Sequence, residues 1–177
     1  MSRLNRTECS ITEDSGGAVG SNGTGRYFPL FISLKDKRFL LVGAGTIAAR
    51  RAGVLIRFDA GVTVLAPACC AQVRELEGTG RIRCIEDSYD AAYLEGADFV
   101  LAMTDDAAVN DRVVRDCRRR GLPVNNASDQ NQCDFFFPAI LEKDELTIGV
   151  TSSGRNPAFV KRFCRKLREL LETMEAI

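Results

Sequence analysis

Arg38-Phe39-Leu40-Leu41-Val42-Gly43-Ala44-Gly45-Thr46-Ile47-Ala48 is the stretch that decides how this chain folds. A short, wholly apolar run entering a Gly-Ala-Gly turn reads as a buried strand that stops abruptly. Thr46 to Phe58 then reads as a helix, with Ile47, Val54, Leu55 and Phe58 supplying its apolar face. Asp59-Ala60-Gly61 closes that helix, and Val62-Thr63-Val64-Leu65-Ala66 is a second strand. Strand, helix and strand together make a βαβ unit, which crosses over right-handed and builds parallel sheet. The turn itself has the form G-x-G-x-x-A. Gly43 makes the bend, Gly45 lets backbone approach a pyrophosphate, and Ala48 keeps helix and strand close. Gly43, Ala44, Gly45, Thr46 and Ile47 are therefore the expected dinucleotide-binding turn, with the anion resting on unpaired N–H groups at the helix N-terminus. A purely structural tight turn is the alternative.

The same rhythm continues downstream. Ala71 to Glu77 reads as a short helix, Arg81 to Ile85 as an alternating strand and Ala97 to Met103 as an apolar strand. A helix from Asp106 to Arg120 is stopped by Gly121, and Leu122 to Asn125 is a further short strand. This alternation predicts an α/β fold of the Rossmann type, an open parallel sheet with helices on both faces. An acid about 20 residues past the Gly-rich turn ordinarily holds the cofactor ribose. Here the second strand ends in Leu65-Ala66-Pro67-Ala68, so Pro67 and Ala68 occupy that part of the cofactor site without a carboxylate. That rule therefore does not separate NAD from NADP. Thr104-Asp105-Asp106 follows the central strand and either lines the crevice, with Thr104 on the cofactor, or caps the next helix.

After Asn125 the pattern breaks. Residues 126–132 are polar and without period, and two strand-like runs follow, Phe135 to Leu141 and Glu145 to Thr151, joined by Glu142-Lys143-Asp144. A hairpin carrying Phe135, Phe136, Phe137, Ile140, Ile148 and Val150 holds more apolar surface than a free hairpin keeps in water, and reads as a dimerisation element rather than a satellite core. Asn156 is an N-cap for a helix from Pro157 to about Thr173, whose stripe Phe159, Phe163, Leu167, Leu170 and Met174 is core or interface. The expected division is a flexible leader over 1–26, a dinucleotide-binding domain over 27–125, and a dimerisation and substrate segment over 126–177.

Composition narrows the function. The 177 residues carry 24 Lys and Arg against 24 Asp and Glu, and no His. Without His there is no Ser-His-Asp triad and no imidazole base, and a net charge of zero argues against nucleic acid as a partner. No apolar stretch approaches the length that crosses a bilayer, so no membrane partner is expected. The seven Cys have no C-x-x-C spacing and read as reduced thiols, with no metal site. The leader is rich in Gly, Ser, Thr and Asn and lacks a signal-peptide apolar core, which predicts a cytoplasmic protein.

YFPLFISLKDKRFLLVGAGTIAARR, TDDAAVN, CDFFFPA and TSSGRNPA, in that order, resemble the precorrin-2 dehydrogenase family, which includes the N-terminal module of siroheme synthase. The resemblance runs from Tyr27 to about Leu171. It implies NAD as cofactor, precorrin-2 as the tetrapyrrole substrate oxidised to sirohydrochlorin, a homodimer, and in some relatives insertion of Fe2+ as a second reaction. The family's candidate base, an Asp before the F-x-x-P segment, falls on Ser128, with Asp129 one residue later. Ser128 and Asp129 are thus the catalytic candidates, and Asp129 is the one able to take a proton. Ser153 matches a family serine near the substrate, either binding a phosphate or carboxylate or forming the turn into the last helix, and Arg155 beside it suits a carboxylate-rich substrate. Arg50, Arg51, Lys161 and Arg162 are further cations near the motif-bearing segments. The chain ends before the second C-terminal helical segment of longer relatives, which weakens the implication of iron insertion. Two other readings stand beside this one: a dehydrogenase of another acidic metabolite, and a non-catalytic dimer that binds dinucleotide or tetrapyrrole.

Overall fold

A computed structural model of the chain describes residues 27–173. The expected leader and Met174 lie outside the described residues. The elements in order are β1 (Arg38–Val42), α1 (Thr46–Arg57), β2 (Gly61–Leu65), α2 (Ala71–Gly78), β3 (Ile82–Ile85), β4 (Phe99–Ala102), α3 (Ala107–Arg119), β5 (Val124–Asn126), β6 (Ala139–Lys143), β7 (Leu146–Val150) and α4 (Pro157–Thr173), with short 3-10 turns at Ala91–Leu94 and Gln130–Gln132. Strands β1 to β5 form one parallel sheet in the order β3-β2-β1-β4-β5, so the strand quoted first is its centre. Among the described residues no helix is long and apolar enough to cross a membrane.

After the exposed Arg38, β1 is hydrocarbon from Phe39 to Val42 because both its faces are covered. Phe39 and Leu41 point to one side, where Val62, Val64 and Leu101 meet α1 and Val73 of α2. Leu40 and Val42 point to the other, where Leu65, Val100 and Ala102 meet Val113, Val114 and Cys117 of α3. This is the doubly covered Rossmann-type sheet that the alternation of elements predicts.

The structure departs from the sequence expectation at the face of α1, at Phe135–Phe137, at the hairpin and along α4. The inward face of α1 is Ala48, Ala49, Ala52, Leu55 and Ile56. Ile47 is 47% exposed, while Val54 and Phe58 are only half-buried. Alanines bring the first turns of the helix close to the sheet, Leu55 and Ile56 fill the last, and Ile47, Val54 and Phe58 are left to the flanks.

Phe135–Phe137, expected as the start of the hairpin, are not strand. Asn125 Nδ2 donates to the Phe135 carbonyl (2.8 Å), and Val124 N–H donates to the Asp134 carboxylate (3.0 Å), so this segment is tied back along β5. Phe135 stands edge-on to Phe99 (5.6 Å between centroids), which stacks on Phe39, and Phe136 meets the Tyr27 ring edge-on at 4.5 Å. The hairpin begins after Pro138 at Ala139, and its turn is at Asp144, in left-handed backbone (φ 51°).

The hairpin, expected as a dimerisation element, instead buries its apolar side within the chain: Leu141, with Ala139, Ile148 and Val150, packs on Val160, Cys164, Leu167 and Leu171 of α4, a satellite core. The expected single stripe of α4 is therefore two faces. Leu167 turns inward, whereas Phe159, Phe163 and Leu170 stay 44–57% exposed.

The close approach of α1 is testable. Ala52→Leu, at a fully buried contact, is expected to cost about 1–3 kcal/mol through overpacking. Ile47→Ala on the outer face should stay within about 0.5 kcal/mol. Urea unfolding measures both, and equal losses would contradict the assigned face.

Candidate dinucleotide and substrate site

The Gly-rich turn sits at the carboxyl edge of the sheet, pinned between two strands. Gly43 N–H donates to the Leu65 carbonyl at the end of β2 (2.8 Å), and Met103 N–H donates to the Val42 carbonyl (2.8 Å). Gly43 is in left-handed backbone (φ 110°), and a side-chain carbon on it would lie 2.6 Å from the Met103 oxygen and 2.9 Å from the Thr104 nitrogen. Gly43 is thus required from inside the protein. Gly45 differs. It is the N-cap of α1 in extended backbone, and a side-chain carbon there would meet no atom within 4 Å.

What that glycine keeps open is approach from outside. No side chain caps α1 and its first turn holds no acid, so the N–H groups of Thr46, Ile47 and Ala48 lack intrahelical partners beside this open space. The arrangement fits a pyrophosphate. Ala44 contributes its carbonyl, which accepts from Cys70 N–H (3.1 Å) and ties down the loop holding Pro67 and Ala68. Both of those residues are exposed at the end of β2. Glu77 of α2 and Glu86, just past β3, are both taken up by Arg74.

On the other side of the turn stands a connected set of neutral polar groups. Asn110 of α3 is fully buried. Its Oδ1 accepts from Thr104 N–H (3.0 Å) and from the Thr104 hydroxyl (2.8 Å). Its Nδ2 donates to the Thr104 carbonyl (3.0 Å) and to Ser128 Oγ (3.1 Å). Ser128 in turn donates to Asn126 Oδ1 (2.7 Å), Asn126 Nδ2 to Gln132 Oε1 (3.1 Å), and Gln132 Nε2 to Asp111 (2.9 Å). Thr104 therefore spends its side chain inward. Asp106 caps α3 through the N–H groups of Ala108 and Val109, while Asp105 is exposed and makes no hydrogen bond or ion pair among the described residues.

Asp129 lies in the same loop. Its Oδ1 accepts from Asn131 N–H (2.9 Å), and Oδ2 accepts none. Beneath the loop the buried Cys133 thiol donates to the Asn126 carbonyl (3.2 Å); burial pushes this thiol up, which keeps it a neutral donor.

Ser153 and Arg155 are brought to this loop through Gly154. That residue is in left-handed backbone (φ 75°), and a side-chain carbon on it would lie 2.6 Å from Gln130 Oε1. Tyr27, Gln130, Phe136, Ser153 and Arg155 line one crevice. Tyr27 is fixed there by its hydroxyl, which donates to the Cys133 carbonyl (2.9 Å). Arg155 is exposed and has no carboxylate partner among the described residues. Two other cations are engaged elsewhere. Arg51 donates to Asn125 Oδ1 (2.8 Å) and lies over the Phe137 ring (5.2 Å), its pKa lowered to about 10 by burial and by Arg50. Arg162 lies over Phe159 on α4. Arg50 faces a groove between α1 and α2, and Lys161 is exposed.

Sequence reasoning missed Asn110, Asn126, Gln132 and the fastening role of Arg51. One signal was present. Asn110, Val113, Val114 and Cys117 share the buried stripe of α3, and an amide on such a stripe must find partners.

A family model described as "Putative NAD(P)-binding" matches residues 30–139. The siroheme synthase of Psychrobacter sp. (strain PRwf-1) is 38% identical over 147 residues, which are 83% of this chain and 29% of that protein. The siroheme synthase of Methylococcus capsulatus is also 38% identical, over 83% of this chain and 30% of that protein. The chain thus spans about three-tenths of the length of the curated relatives it matches. Among solved structures, SirC, a precorrin-2 dehydrogenase, superposes with a TM-score of 0.71 at 29% identity, covering 81% of this chain and 71% of that one. With the open turn before α1, these matches lead to one conclusion: the chain belongs to the NAD(P)-binding family in the form it takes in siroheme synthases and SirC.

Proposed function

We propose that the chain oxidises precorrin-2 to sirohydrochlorin, with NAD as the acceptor. The observation that carries this reading is the open, uncapped turn at Gly45 beside a loop that holds a carboxylate oxygen free of hydrogen bonds, Asp129 Oδ2. The substrate loses a hydride from one ring carbon and a proton from the macrocycle; bound NAD supplies the hydride acceptor. The chain's own residues hold and orient. The amides of Thr46 and Ile47 take the pyrophosphate, and Pro67 and Ala68 border the adenosine end. Arg155, with Ser153, takes substrate carboxylates in the crevice. Asp129 Oδ2 accepts the proton. Ser128, whose hydroxyl is committed to Asn126 and to Asn110, holds the loop rather than taking a proton.

Apolar surface supports a homodimer as part of this reading. Phe159, Phe163 and Leu170 on α4, and Phe28, Leu30, Phe31 and Ile32 ahead of β1, are all exposed, a larger apolar display than monomers usually keep. Free thiols at all six described cysteines support a reducing, cytoplasmic setting.

Anaerobic incubation with precorrin-2 and NAD tests the reaction, with NADH and the sirohydrochlorin spectrum rising together. NADH binding without turnover would contradict the reaction and leave the dinucleotide site standing. Asp129→Asn is expected to lower turnover about a hundredfold while NADH affinity holds. If that variant keeps full turnover and Asp105→Asn loses it, the proton goes to Asp105 instead. Gly45→Val should weaken NADH binding at least about tenfold, because a side chain there enters the cofactor's space, while the poorer N-cap costs no more than about 1 kcal/mol of stability. Gly43→Ala instead should destabilise the fold by about 1–3 kcal/mol. Sedimentation is expected to give twice the 19.4 kDa chain mass, and Phe163→Glu to give a monomer.

A further inference from the structure

Asn110 joins two loops that the sequence keeps apart. An Asn side chain offers two donor hydrogens and two acceptor lone pairs. All four of Asn110's are used: three on the N–H, hydroxyl and carbonyl of Thr104, and the fourth on Ser128. The Met103–Thr104 peptide is also the surface against which Gly43 is packed without room for a side-chain carbon. One buried amide therefore grips the residue that abuts the Gly-rich turn and, through Ser128 and Asn126, the loop that carries Asp129. The link contains no charged group from Thr104 to Gln132, so changes of pH near neutrality do not loosen it.

We infer that Asn110 is a positioning residue, coupling the dinucleotide turn to the 126–132 loop so that cofactor binding fixes the loop beside the substrate. This rests on the dinucleotide reading of the turn. Ser128 acts as its relay: it is exposed at the surface, yet its hydroxyl accepts from the buried amide and donates onward to Asn126. Neither residue takes a proton in this account.

Hydrogen–deuterium exchange of the full chain, with and without saturating NADH, tests the coupling without needing turnover. In the wild-type chain, peptides covering 126–132 are expected to exchange about tenfold more slowly with NADH bound, an ordinary size for coupling between two sites. Asn110→Ala should lose that protection while binding NADH within about threefold of wild type. Ser128→Ala cuts the same link from its exposed end, so it reports even if the buried substitution unfolds the chain, and the same loss is expected. With precorrin-2, kcat of either variant should fall by tenfold or more while KM for NAD holds, since small misplacements cost rate more than binding. Wild-type protein that binds NADH with no change in loop exchange overturns the inference, as does either variant keeping the full protection. Failure of the wild type to bind NADH overturns the dinucleotide reading itself, and this inference with it.

Discussion

The site depends on how the central strand ends. β1 is covered on both faces by α1, α2 and α3, which fixes its depth in the molecule, and its last residue hands the chain to Gly43 in left-handed backbone. Hydrogen bonds from Gly43 to β2 and from Met103 to Val42 lock the turn at the crest of the sheet. With the turn fixed there, α1 starts with three unpaired N–H groups facing outward, and β4 ends beside it at Thr104. Every other part of the proposed chemistry is placed relative to that crest.

From the crest outward, the protein builds with neutral polar groups. Asn110, Asn125 and Asn126 are all buried, and every buried side-chain polar atom among the described residues has a partner. Breaking such a bond leaves a dry donor or acceptor at about 1–3 kcal/mol, enough to hold a loop in one geometry. Arg51 does comparable work at the edge of β5. Its guanidinium, stacked on Phe137 and bonded to Asn125, fastens α1 to the segment that leads into the hairpin. Charge free to meet an anionic substrate stays at the surface, as at Arg155.

The sheet was legible in the sequence because its strands are buried on both faces, so apolar runs between turn residues mark them directly. The G-x-G-x-x-A turn was legible because its glycines answer steric needs that only backbone can meet. The inner face of α1 was not, since a helix that packs closely shows alanines inward, and the eye follows Ile47 and Phe58 instead. Phe135–Phe137 read as strand because an aromatic run before an alternating one has no visible boundary; their ring partners, Phe99 and Tyr27, are distant in sequence, and the tie to Asn125 spans a loop without period. The network from Thr104 through Asn110 to Ser128 and Gln132 was invisible for the same reason, except for the one amide on the buried stripe of α3. Ser128 and Asp129 were legible only through resemblance to a family pattern; the ties of Ser128 to Asn110 and Asn126 were not.

A crystal structure of the chain with NADH tests the central claim most directly. The pyrophosphate is expected over Gly45, with its oxygens on the Thr46 and Ile47 N–H groups, and the nicotinamide at the carboxyl end of β4 facing the loop that holds Asp129. A dinucleotide bound elsewhere, such as the groove between α1 and α2, with the Gly45 turn empty, would contradict it.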